Sequence, residues 1–534
     1  MKSQTSSFIK HHIKNLLFPL LGFSMATGVL SALLVTLFQW GAAKAVALSG
    51  YLYQEAKDDP SLLLYLVLGA AAIGLLSGVL LHFAKACRGG GIPTSIAAIQ
   101  GMIPFKWVSS ILVLPFTAML TYLVGLPLGT EGPGVQLGTA VGDGVAQVLG
   151  GKKRMGWRRY AMTGGGAAGF SLVTGAPLTS VLFAMEELHK RFSPLLFTMA
   201  SLTVAFSQIT AGILRYFGIG SDALFHIDAI PTLSVGLLYI PLLLGILCGG
   251  VSVVFTKLYH RISHFIRVVL KKVPSTVKYP VIFALVALVG FYLSDIRGSG
   301  HSLIDELFSP DHIWYLLVLV FLLRALFLLL ANTSGVTGGI FLPILAFGAI
   351  LGALFAKAAI AVGIMGEEHY LLFVILGMTA FLGATSRIPL TACVFALEAL
   401  SANVNILPVA IAVVAAYLVV ELSGLHDFTD AVIEAQTHAL HGDQEPKTIE
   451  VPLHVYKDSF AVGKALEDIL WPVSTVLLSI KRQKHDKFKK GLAEGDILTV
   501  YYKTYNPEET AEEFEAIVGD QPAHIDRLMR PIEL

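Results

Sequence analysis

Charge is scarce in this chain: 14% of its 534 residues are Asp, Glu, Lys or Arg, whereas 55% are hydrophobic. Soluble globular chains carry about a quarter charged residues. The formal net charge is +1 and no basic stripe stands out beyond the loops that flank apolar segments, which argues against a nucleic-acid partner. Cysteine is nearly missing. Cys87, Cys248 and Cys393 are single and scattered, so neither a disulfide framework nor a metal site is suggested, and no cofactor is expected. No cleavable signal peptide is expected either, because the segment from Met1 is polar and basic, runs straight into an apolar helix and has no convincing cleavage site. A potassium pore would need a carbonyl filter of the TVGYG kind, and none is found. Ser334-Gly335 is the sole hint of an intramembrane serine protease. Asn332 stands where the first glycine of GxSG belongs and no histidine sits on a convincing partner helix, so the chain is not expected to be an enzyme.

What it has instead is apolar length. Stretches such as Leu62 to Phe83, Leu237 to Phe255, Trp314 to Leu330 and Asn405 to Val420 approach the roughly 20 residues that cross a bilayer. Others are shorter or broken by Gly and Pro, and non-helical backbone survives at membrane depth only where protein covers it or it lines a polar cavity. The basic residues mark topology. Lys2, Lys10 and Lys14, then a loop with Lys152, Lys153, Arg154, Arg158 and Arg159, then one with Arg267, Lys271, Lys272 and Lys278, belong on the cytosolic face by the positive-inside rule. The expectation is an all-α polytopic membrane protein with both termini cytosolic. Compact loops point to a cell inner membrane.

The membrane part repeats. Pro177 to Leu188 (PLTSVLFAMEEL) matches Pro389 to Leu400 (PLTACVFALEAL) at seven of twelve positions without a gap. Gly165 and Ala168 continue the match at Gly377 and Ala380; Gly129 and Gly132 are paired with Gly335 and Gly338, and Gly91 with Gly300. Secondary transporters are commonly built from inverted repeats whose broken helices meet at the bilayer midplane, and inversion is the expectation here. From about Thr437 the chain turns polar. Residues 1–15 read as a cytosolic segment, 16–436 as the membrane domain, 437–447 as a linker and 448–534 as a small α+β domain. In that domain Val476 to Ile480 and Asp496 to Tyr502 are predicted strands, and Ala461 to Ile469 and Glu508 to Ile517 predicted helices.

Three segments share one design: GGGIP at Gly89 to Pro93, GTEGP at Gly129 to Pro133, and GGIFLP at Gly338 to Pro343. Each interrupts an apolar region, and proline is favoured in a first helical turn, so each reads as a helix start buried in the membrane. Free N–H groups and the positive end of a helix dipole make an anion site without a full positive charge. Glu131 lies in the middle segment, and an ionisable side chain inside an apolar region is functional by default.

These segments resemble the signature regions GSGIP, GREGP and GxFxP of the CLC chloride channel and transporter family, in the expected order, over 16–436. The resemblance implies two repeats of CLC type, a homodimer with one pore per subunit, and exchange of protons for small inorganic anions across the lipid bilayer. It makes Glu131 the external gating and proton glutamate and Glu187, in FAMEELHKRF, the internal proton glutamate. Glu186, the counterpart of Glu398, receives only a boundary role. The anion site implied is Gly90, Gly91, Ile92, Gly132, Pro133, Ile340, Phe341, Leu342 and Thr429.

The chain departs from the family pattern at three points. Gly90 stands where the family has serine, Thr130 where it usually has arginine, and Thr429, or Phe428 if the alignment slips by one, where it has tyrosine. Buried donors set which anion is worth desolvating, so chloride is the first expectation while bicarbonate, nitrate and fluoride stay open, as does a passive or weakly coupled channel. Fluoride-exporting members carry methionine or asparagine near the serine position, and neither is present. The tail, with VLLSIKRQ at Val476 to Gln483 and LAEGDILTVY at Leu492 to Tyr501, resembles the TrkA-C type of regulatory module, which implies control by an unknown small ligand or by pairing of subunits. The first fourteen residues, with Lys10, His11, His12 and Lys14 beside Phe8 and Ile9, are expected to form an interfacial helix that serves as an anchor, the alternative being a mobile plug of the cytosolic anion entrance.

Overall fold

The computed structural model describes residues 16–519 apart from 90, 221–223, 226, 228–229, 270–272, 443, 458, 473–474 and 483–490. The N-terminal segment 1–15, Gly90, Lys271 and Lys272 therefore lie outside the described residues.

The first half runs α1 (Phe18–Asp58), α2 (Leu63–Phe83), α3 (Ile92–Gln100), α4 (Trp107–Val124), α5 (Glu131–Arg154), α6 (Arg158–Thr174), α7 (Pro177–Phe183) and α8 (Pro194–Tyr216). The second runs α9 (Tyr239–Val269), α10 (Ser275–Tyr292), α11 (His301–Leu307), α12 (Trp314–Ser334), α13 (Phe341–Ala361), α14 (Tyr370–Thr385), α15 (Pro389–Glu398) and α16 (Ile406–Leu422). A last helix, α17 (Phe428–His441), leads to β1 (Lys447–His454), β2 (Val476–Lys481), β3 (Ile497–Thr504) and α18 (Pro507–Val518). Ten helices among the described residues are long and apolar enough to cross a membrane. At about 1.5 Å per residue the 41 residues of α1 exceed the hydrocarbon thickness about twofold, so this helix tilts, extends beyond the hydrocarbon core, or both. The expected loop at Lys152 to Arg154 is instead the last turn of α5.

The two halves correspond helix by helix. Gly125 and Gly335 both end a helix in the left-handed conformation, at φ 80° and 85°, and both precede the start of the next long helix, α5 or α13. That alignment pairs Glu131 with Phe341 and Pro133 with Pro343. It corrects the sequence pairing of Gly129 with Gly335, which is out by one helical turn; Gly129 corresponds to Gly339. α5 lies on α6 and α13 on α14 with their backbones in contact, because glycines meet there: a methyl on Gly138 would collide with the carbonyl of Gly165, and one on Gly348 with that of Gly377.

The C-terminal sheet has the order β1-β3-β2, both pairings antiparallel. Its inner face packs Ile449, Val451, Leu453, Leu498, Val500 and Tyr502 against Phe514 and Ile517 of α18. β1 was not foreseen, and α17 continues past 436 to His441. The predicted helix over Ala461 to Ile469 is replaced by turns and one short 3-10 turn, Leu466–Asp468. The backbone explains this: the amide of Ala461 is bound to the carbonyl of Ile517 at 2.9 Å and that of Gly463 to Leu492 at 2.8 Å, while Gly463 sits at φ 82°.

This domain is seated on the turn between α5 and α6. Arg159 reaches Glu513 at 2.5 Å and the carbonyl of Trp471 at 3.1 Å, Arg158 holds Asp143 at 2.6 Å, and Ser193 donates to Asp468 at 2.8 Å. Trp157 meets Phe460 edge to face with centroids 5.4 Å apart. The basic residues of that turn thus share one face with the C-terminal domain. A cavity of about 770 Å³ lies between the domain and α17, with Glu434, Thr437, Lys503 and Tyr505 among its walls.

Candidate ion-transport site

The three glycine-proline segments converge. α3 begins at Ile92 with Pro93 in its first turn, α5 at Glu131 and α13 at Phe341, and all three starts are buried. Gly129 and Gly339 exchange both backbone hydrogen bonds, at 2.8 and 2.7 Å, as a one-pair antiparallel bridge, and the Tyr122 hydroxyl adds a donor to the Gly129 carbonyl at 2.8 Å. A Cβ on Gly132 would stand 2.7 Å from the Cα of Gly339 and 3.0 Å from that of Gly91, so these three positions touch backbone to backbone. Gly91 also requires glycine for its φ of 151°. The starts of α5 and α13 thereby aim their first-turn N–H groups, and the positive ends of their dipoles, at one region.

Of the anion-site residues expected from the sequence, this brings together Gly91, Ile92, Gly132, Pro133, Ile340, Phe341 and Leu342. Phe341 is fixed edge to face against Phe170, with centroids 4.9 Å apart, and Phe395. The Gly91 amide is already used: it donates at 2.8 Å to Oε1 of Gln136, whose Nε2 donates to the Ala86 carbonyl at 3.1 Å. Sequence reasoning missed Gln136, a lone amide in the glycine-rich stretch of α5.

Glu131 is fully buried where α5 and α13 begin. Its own amide and that of Leu342 face the carboxylate, and Thr130 offers a hydroxyl at 3.5 Å. Oε2 has no partner. A carboxylate here is a tethered anion lodged among helix-start amides.

Glu187 belongs to a π-helical turn, Ala184–Leu188, that follows α7. Such turns rotate successive side chains away from α-helical register. Here two adjacent glutamates are sent to different places. Glu187 is buried and accepts a hydrogen bond at 2.7 Å from the hydroxyl of Thr429 on α17, while its Oε2 has no partner. Beside it Lys190 binds Asp427 and Asp430, both at 2.8 Å. Phe428 carries no hydroxyl and packs against Tyr259, centroids 4.8 Å apart. Thr429, expected at the anion site, thus gives its hydroxyl to Glu187.

Glu186 turns instead to the other repeat. Its carboxylate accepts from the amides of Leu390 at 3.0 Å and Thr391 at 2.7 Å and from the Thr391 hydroxyl at 2.7 Å, capping α15. Glu398 does the same for α7 through Leu178 at 2.9 Å, Thr179 at 2.7 Å and the Thr179 hydroxyl at 2.6 Å. Each helix end lies at the start of the other helix, so α7 and α15 run antiparallel, as a two-fold axis between repeats requires.

Residues 73–421 match the family described as voltage gated chloride channel. The chain belongs to the CLC family. The H(+)/Cl(-) exchange transporter ClcA of Vibrio parahaemolyticus serotype O3:K6 (strain RIMD 2210633) is 30% identical over 361 residues, covering 67% of this chain and 77% of the relative. Among solved CLC structures, a slow cyanobacterial Cl-/H+ antiporter superposes with a TM-score of 0.71 at 23% identity, over 78% of this chain and 98% of its own. A eukaryotic CLC transporter gives 0.65 at 19% identity, over 83% and 81%. A CLC-type fluoride/proton antiporter gives 0.61 at 21%, over 75% and 95%. CLC membership makes this a multi-span membrane protein of an ion-transport family, and the C-terminal sheet domain lies beyond the matched region.

Proposed function

We propose that this CLC protein exchanges protons for a small monovalent anion, chloride first among the candidates. The observation that carries the reading is the buried Glu131 carboxylate among the helix-start amides of α5 and α13. An ionised carboxylate occupies the donors a transported anion needs; a protonated one has no charge to hold it there, and an anion takes its place. One group thus couples the two ions. Glu187, buried and bound to Thr429, is the internal proton acceptor that gives protons a route separate from the anion. Kinship with an H(+)/Cl(-) exchange transporter supports this coupling.

A weakly coupled or differently selective protein is the second reading. It is favoured by Gly90, which has no hydroxyl, and by Thr429, whose hydroxyl is given to Glu187. We further assign a homodimer, with the bared Leu178 and Leu390 ends of α7 and α15 at its seam, and cytosolic termini at an inner membrane. The C-terminal domain is assigned a regulatory role through a ligand in the cavity beside α17. The test is anion and proton flux in sealed proteoliposomes with chloride, fluoride, nitrate and bicarbonate in parallel. Proton movement with chloride that is lost in Glu187→Gln supports the reading; anion flux without proton movement overturns it.

A further inference from the structure

We propose that Thr429 is a positioning residue of the proton route, holding the Glu187 carboxylate through its hydroxyl, and that it contributes no donor to the transported anion. This rests on the assignment of Glu187 as internal proton acceptor.

The geometry points this way for three reasons. A threonine hydroxyl has one proton to donate, and here it is directed at Glu187 Oε1 at 2.7 Å. Both side chains are buried, at 1% and 2% exposure, so water does not replace that donor, and the other oxygen of Glu187 has no partner. A proton relay must pass through its charged state in each cycle, and a buried carboxylate with no donor at all is costly.

The hydroxyl is also held in place. Thr429 is the second residue of α17, β-branched and therefore stiff at χ1. Asp427 caps that helix by accepting the amide of Asp430 at 2.5 Å, and Lys190 bridges Asp427 and Asp430. Residues 187–190 and 427–430 are thus tied at two points, one neutral donor on a carboxylate and one ammonium between two carboxylates. Lys190, Asp427 and Asp430 are the charged groups facing this junction; His189 beside them is engaged by the Thr163 hydroxyl at 2.6 Å. Thr429, which the sequence resemblance places at the anion site, is thereby reassigned to the proton route, and the anion is left with backbone amides.

The test uses the full chain in proteoliposomes, with proton and chloride fluxes recorded together across a series of internal pH values. Thr429→Val is expected to lower proton flux about ten- to hundredfold, the size of one lost hydrogen bond to a charged group, while chloride flux stays near native. Thr429→Ser restores the ratio, and Thr429→Val in a Glu187→Gln background adds no further loss. Should the valine chain prove unstable, Thr429→Ala reads the same quantities. A changed chloride affinity or anion ranking at an unchanged proton-to-chloride ratio overturns the proposal, as does a serine variant as impaired as valine. A native protein that moves chloride but no protons overturns the Glu187 assignment as well, and differs because the defect precedes any substitution.

Discussion

Replacing Glu186 with alanine removes three hydrogen bonds from the start of α15, at 3.0, 2.7 and 2.7 Å. Replacing Glu398 removes their counterparts from α7, at 2.9, 2.7 and 2.6 Å. A hydrogen bond to a charged group contributes about 1.5–3 kcal/mol and a helix cap about 1 kcal/mol. Leu178 and Leu390 are bared on the single chain but lie at the assigned dimer seam within the membrane, where water does not replace what is lost, so the upper end applies. Either substitution is then expected to cost at least about 3 kcal/mol. Membrane proteins of this size commonly unfold irreversibly, so the assay is thermal inactivation in detergent, read as the monodisperse fraction surviving a series of temperatures. The two variants should lose stability equally, because the contacts are repeated almost atom for atom, and survivors should keep the native proton-to-anion ratio. Glu187→Gln, one residue away, should do the opposite: near-native stability with proton flux lost. A Glu186→Ala protein of native stability without coupling would refute the division of labour between these neighbours.

Gly132→Ala should abolish anion flux and reduce the folded yield, since its Cβ would lie 2.7 Å from the backbone of Gly339, whereas Gly212→Ala on α8, with nothing within 4 Å, should be silent in the same assays. Burial against Phe460 and Trp157 lowers the Lys464 ammonium from 10.5 to about 8, so between these values the unfolded domain binds the extra proton and the folded, seated domain should gain stability as pH rises. Limited proteolysis of the full chain across pH 8 to 10.5 should show falling cleavage of the C-terminal domain, a trend that Lys464→Met removes.

Local signals were legible. Glycine followed by proline placed the starts of α3, α5 and α13, because the physics of a helix start is confined to a few neighbouring residues. The pairing of Glu186 with Glu398 in sequence foretold their equivalence, and the structure turned it into reciprocal caps. Pairings over long distances were not legible. Thr429 and Glu187 are 242 residues apart, and Gln136 and Gly91 are 45 apart, with nothing in their spacing to link them. The seam between domains overrode local propensity: Ala461 to Ile469 has helical composition, yet its amides bind α18 and the segment before β3. β1 escaped notice because Pro452 interrupts it, which an edge strand tolerates.

Uphill proton transport driven by a chloride gradient, in native protein beside Glu131→Gln, tests the central claim most directly. The account predicts that sealed vesicles holding native protein move protons against their gradient as chloride runs down, and that Glu131→Gln moves chloride with no protons. A Glu131→Gln protein that still drives protons uphill would contradict it.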